Sequence, residues 1–138
     1  MNILVIDGQG GNIGRRLVEM ISEKFPSANI TAVGTNSIAT SNMMKGGNVT
    51  AATGENAVIV GCRRADIIAG PVGIVVADAL CGEVTPKMAV AVGQSGALRV
   101  LVPMSRCETL IAGIGSQSVS ALLDDAAEKI SAAISKNA

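Results

Sequence analysis

Residues 2–20 read NILVIDGQGGNIGRRLVEM, an apolar run, a glycine-rich turn and the start of a helix. Residues 2–7 are rich in Ile, Leu and Val without polar alternation, which suits a strand of a parallel sheet buried on both faces. Gly8, Gly11 and Gly14 follow at spacings of three, and Ile13, Leu17, Val18 and Ile21 then fall on one helical face. A strand that stops at glycine and opens a helix leaves unpaired backbone N–H groups at the helix N-terminus, where the dipole also favours negative charge. Such a turn predicts a phosphate site.

Outward from this turn the chain alternates strand and helix signals. Residues 28–34 read as a second strand and 37–45 as a short helix capped by Asn36 or Ser37, released by Gly46-Gly47. Residues 49–52 form a weak third strand. The run Val58-Ile59-Val60 suits a strand, but its place before the apolar segment 66–69 favours a helix over 57–64 leading to a fourth strand. That strand ends in Gly70-Pro71-Val72-Gly73. Residues 74–80 read as a buried helix closed by Cys81-Gly82; Thr85 and Pro86 open the next helix as N-cap and first helical residue. Residues 98–102 are a fifth strand and 110–114 a candidate sixth. The last helix, capped by Ser118 or Ser116, carries an apolar stripe from Val119 to Ile134 with Asp124, Asp125, Glu128 and Lys129 outside it. The expected fold is a single Rossmann-like α/β domain over 1–138, in three layers, with a parallel sheet of five or six strands and helices on both faces.

The spacing G-x-x-G-x-x-G departs from the usual dinucleotide fingerprint G-x-G-x-x-G, because the third glycine of that pattern would fall on Ile13. By the same mechanics, Gly8 serves the sharp turn, Gly11 close backbone approach and Gly14 helix-on-strand packing. In this form DGQGGNIGRRLVEMI resembles the nucleotide-binding turn of extended and atypical short-chain dehydrogenases/reductases, whose members read much like TGATGxIGRxLVxxL. The resemblance spans about fifteen residues and implies NAD(P) in the turn. The acid expected about twenty residues on, for the ribose 2′-hydroxyl, is absent: the second strand runs into Gly34-Thr35-Asn36-Ser37. Arg15, Thr35 and Asn36 could instead accept a 2′-phosphate, so NADP is expected over NAD. The Tyr-x-x-x-Lys pair that carries hydride chemistry in those enzymes has no counterpart, since the chain has no tyrosine. Over nearly the full chain, ILVIDGQGGNIG, ITAVGTNSIATS, ADIIAGPVGIVVADAL and GEVTPKMAVAVGQS resemble a family of short bacterial proteins catalogued as a domain of unknown function. That resemblance implies one compact domain and no particular activity.

Composition narrows the remaining classes. Eleven basic residues balance eleven acidic ones and Phe25 is the sole aromatic, which leaves neither the charge nor the stacking surface of a nucleic-acid binder. No apolar run approaches a membrane span and no signal peptide is evident, so a cytoplasmic chain is expected. With no histidine, catalytic triads, Cys-His chemistry and histidine-ligated metal are excluded; no metal is expected. Cys62, Cys81 and Cys107 have no C-x-x-C spacing and read as reduced thiols, Cys81 and Cys107 as buried small hydrophobes. Arg63 and Arg64 could lower the Cys62 pKa only if they approach it.

The expected binding set is Gly8, Gln9, Gly10, Gly11, Asn12, Ile13, Gly14 and Arg15 in the turn, Thr35 and Asn36 after the second strand, and Gly70, Pro71 and Val72 after the fourth, because ligands of open α/β sheets lie beyond the carboxyl ends of strands. Asp7 is expected to brace the turn through backbone N–H groups. Asp78, Glu83, Arg106 and Glu108 read as solvated charges, and no catalytic residue is assigned. Three functions stay open: a nucleotide-binding sensor or assembly component, a small NADP-dependent reductase completed by a partner subunit, and an oligomeric scaffold with no ligand. A homo-oligomer is an expectation of the apolar helices, with 57–60 and 74–79 as contacts.

Overall fold

The computed structural model describes residues 1–104 and 109–137. Arg106, Cys107 and Glu108 lie outside the described residues. Five parallel strands, β1 (Asn2–Asp7), β2 (Asn29–Gly34), β3 (Thr50–Thr53), β4 (Ile67–Pro71) and β5 (Leu98–Val102), form one sheet in the order β3-β2-β1-β4-β5. This is the Rossmann order without its sixth strand, and the order reverses between β1 and β4. The candidate sixth strand at 110–114 is instead a turn with Leu110 almost fully exposed, so its apolar residues find no neighbouring strand.

The helices are α1 (Asn12–Lys24), α2 (Ser37–Met44), α3 (Glu55–Arg64), α4 (Pro86–Gln94) and α5 (Val119–Lys136). Strand alternation sorts β1 between two cores. Ile3 and Val5 pack with Leu17, Val18 and Ile21 of α1, Met43 of α2 and Leu123 and Ile130 of α5. Leu4 and Ile6 face the opposite layer, with Val58 and Cys62 of α3 and Met88 and Val92 of α4. β1 is therefore buried on both faces, as its unbroken apolar run requires. The helix over 57–64 is present and begins two residues earlier than expected.

The segment expected as a helix at 74–80 is not one. A single 3-10 turn, Val72–Val75, is followed by an irregular strap over residues 76–84. The β-branched run Ile74-Val75-Val76 disfavours a helix, and Asp78, Leu80, Cys81 and Gly82 all adopt positive φ. Leu80 and Cys81, at φ 56° and 57°, pay about 1–2 kcal/mol each for that conformation. Tertiary contacts hold them there: the amides of Asp78 and Val84 donate to the carbonyls of Val84 and Ala79, and Ala79 and Val84 are buried in the second core. Because Ile74 and Val58 belong to that same core, the expected subunit contacts at 57–60 and 74–79 are partly spent inside the protomer.

Candidate functional site

The glycine turn sits where β1 and β4 diverge. Asp7, buried at the end of β1, accepts the amides of Gly8 at 2.8 Å and Gly14 at 2.7 Å. It braces the turn as expected. Burial pushes its pKa above the usual 3.8, the Gly14 and Gly8 amides pull it back, and the charge of Glu83 adds to the rise; the net direction is up.

The glycines have reasons other than a ligand. Gly11, at φ 75°, accepts no Cβ because one would lie 2.6 Å from the Ala39 carbonyl oxygen of α2. Its close approach is to a neighbouring helix. At Gly14 a Cβ would collide with Met43 and with Asp7, which is the helix-on-strand packing expected of it. A Cβ on Gly8 would lie 2.6 Å from the Thr35 hydroxyl and 2.8 Å from Leu80. Gly70, inside β4, packs so closely on β1 that a Cβ would meet the Ile6 carbonyl oxygen.

The residue that sequence reading passed over is Glu83. Its Oε1 accepts the Gln9 amide at 2.9 Å, the Thr35 hydroxyl at 2.8 Å and the Asn36 amide nitrogen at 2.6 Å. Partial burial works to raise the Glu83 pKa, but these three donors outweigh it and the carboxyl is held below its usual 4.5. Asn36 also donates to the Gln9 carbonyl and caps α2 by accepting from Ala39. The strap thus reaches over the end of β1 and sets a carboxylate at the end of β2, where the second-strand loop itself has none. Sequence offered no signal for this, since Glu83 lies 47 residues from Asn36.

Gly8 to Ile13 and Pro71 come together around one cavity of about 160 Å³, roofed by Leu80 of the strap and bordered by Met104. Val72 starts the 3-10 turn beside it and is partly exposed. Among the described residues, the amides of Gly10 and Asn12 have no acceptor within the chain. Arg15 is not in the cavity lining: its guanidinium pairs with Glu19 at 2.9 Å and donates to Asn42 on α2, which in turn donates to the Gly10 carbonyl. The expected 2′-phosphate pocket of Arg15, Thr35 and Asn36 is therefore not assembled, because Arg15 is engaged along α1 and α2 while Thr35 and Asn36 are spent on Glu83.

A larger groove of about 680 Å³ lies between α3 and α4, lined by Ile59, Cys62, Arg63, Lys87 and Val90 among others. Burial pushes the Cys62 thiol up to about 11, so the adjacent arginines do not activate it. Cys81 is exposed on the strap rather than buried, the core positions of that segment being taken by Ala79 and Val84. Among the described residues no cluster of three or more His, Cys, Asp or Glu could hold a metal ion, and no helix is long and apolar enough to cross a membrane.

Residues 2–135 match the family described as a domain of unknown function (DUF3842). The chain belongs to this family. The full-length resemblance seen in its sequence agrees with that membership; the dehydrogenase resemblance extends only over the turn, and the DUF3842 match does not bring NAD(P) with it. No curated protein matches the chain. Among solved structures, a dodecameric FMN-dependent Ubix-like decarboxylase from Escherichia coli O157:H7 is similar at 18% identity, over 96% of this chain and 76% of that one, with a TM-score of 0.45. A likeness of that degree says nothing about ligand or assembly in this member of DUF3842.

Proposed function

We propose that this chain is a nucleotide-binding module whose ligand lays a phosphate on the turn Gly8 to Gly14 and extends toward Pro71 and Val72. The observation that carries the reading is the pair of amides, Gly10 and Asn12, that have no partner among the described residues and belong to the lining of a cavity at the point where strand order reverses. The remaining expected contacts, Thr35, Asn36 and Gly70, border or support the same end of the sheet. For the finer identity, the Glu83 carboxylate beside Thr35 and Asn36 opposes a 2′-phosphate, and the Arg15 guanidinium is engaged by Glu19 and Asn42. An unphosphorylated ribose is therefore favoured over NADP in this arrangement. Among the described residues no acid–base or nucleophilic constellation accompanies the turn, and a sensor or assembly component is read ahead of a reductase completed by a partner. The scaffold reading retains one specific support: Asp7 and Glu83 already satisfy three of the turn's amides from within.

Thermal unfolding against NAD, ADP-ribose, ATP, FMN and NADP tests the reading. A ligand that binds the native state alone adds about 2.7 kcal/mol at a hundred times its dissociation constant. The expected result is a rise in midpoint with NAD or ADP-ribose, and a smaller one with NADP. A panel that shifts nothing would overturn the nucleotide reading in favour of the scaffold.

A further inference from the structure

Glu83 holds the position an anionic ligand group would take. One of its oxygens draws together three donors from two separate loops, the Gln9 amide of the glycine turn and the Thr35 and Asn36 side chains after β2. Those loops supply no acid of their own, and Arg15 does not compete for the same place. The cavity left beside the turn, about 160 Å³, falls below the roughly 300–1,000 Å³ of small-molecule sites. It admits a phosphate-sized group, and Leu80 of the strap closes it over.

We infer that Glu83 is an internal competitor, a carboxylate that occupies the anion position at the ends of β1 and β2 and must turn away before an anionic ligand group can take Gln9, Thr35 and Asn36. The inference rests on the nucleotide reading of the turn and adds its regulation. The strap itself need not unfold. Ala79 and Val84 anchor it in the core, whereas Glu83 is only partly buried and its side chain can rotate outward. Discrimination follows from the same device: with Glu83 in place the end of β2 repels phosphate, and with Glu83 withdrawn or neutral three donors become free to accept it.

The test is binding of inorganic pyrophosphate, by calorimetry, to the intact wild-type chain, Glu83→Gln and Glu83→Ala. Glu83→Gln keeps the shape of the side chain and guards against loss of the fold in the alanine variant; thermal unfolding without ligand checks both. The expected result is tighter binding by about tenfold or more in both variants, the effect of removing a competing charge worth about 1.4 kcal/mol. Equal or weaker binding in the variants, with measurable binding to wild type, would overturn the competitor while leaving the nucleotide reading intact. Absence of binding to all three folded proteins would overturn both.

Discussion

Asp7 shows how a single residue can build a turn at its own electrostatic expense. Ionised, it satisfies the Gly8 and Gly14 amides; buried, it resists ionisation. Asp7→Asn keeps one acceptor and sets an N–H₂ group against a remaining donor, so it should lower unfolding stability by about 1–3 kcal/mol at neutral pH, measured by urea denaturation. Glu83 carries the opposite sign. Its folded pKa is lowered, so its contribution is present above the unfolded value near 4.5 and lost as pH falls through the folded one. The stability difference between wild type and Glu83→Gln should be about 1–2 kcal/mol at neutral pH and shrink toward zero as the solution becomes more acidic, when a protonated Glu83 resembles glutamine. A difference that stays constant with pH would contradict the ionised contact. At this scale the sequence disclosed Asp7, whose partners are its neighbours, and hid Glu83, whose partners arrive only through the tertiary fold.

Among the elements, those with local signals were legible. β1 announced itself by an unbroken apolar run, α4 by Thr85-Pro86 and α5 by its stripe and serine cap. The strap was misread because Ala, Leu and Val between 74 and 80 have apolar content but no local feature that reveals positive φ at Asp78, Leu80 and Cys81. Burial of Ala79 and Val84 imposes that path. The exit of the strap is fixed by Thr85, whose hydroxyl oxygen accepts the Met88 amide at 3.2 Å and whose hydroxyl donates to Glu55 at the start of α3. Thr85→Ala should therefore cost about 1 kcal/mol in thermal or chemical unfolding, and Thr85→Ser should recover most of it. Equal losses in both would indicate that the methyl group, and not the cap, carries the effect.

For the whole molecule, the decisive feature is strand order. The alternation of strands and helices predicted a parallel three-layer sheet, but only the fold places β1 beside β4 and so brings Pro71 to the glycine turn. The same order lays the strap across the crevice and turns a solvent-facing acid of the sequence into the hub of Gln9, Thr35 and Asn36. The glycines Gly8, Gly11 and Gly14 are thereby explained largely by contacts within the chain, to the strap, to α2 and to Met43 and Asp7. What is left for a ligand, among the described residues, is the pair of unpartnered amides at Gly10 and Asn12.

The most direct test of that claim is a ¹⁵N–¹H amide titration of the intact protein with ADP-ribose. The account predicts that the resonances of Gly10 and Asn12 move first and furthest, and that amides along α5 stay in place. A titration that leaves the amides from Gly8 to Asn12 unmoved, or moves only those of the groove between α3 and α4, would contradict it.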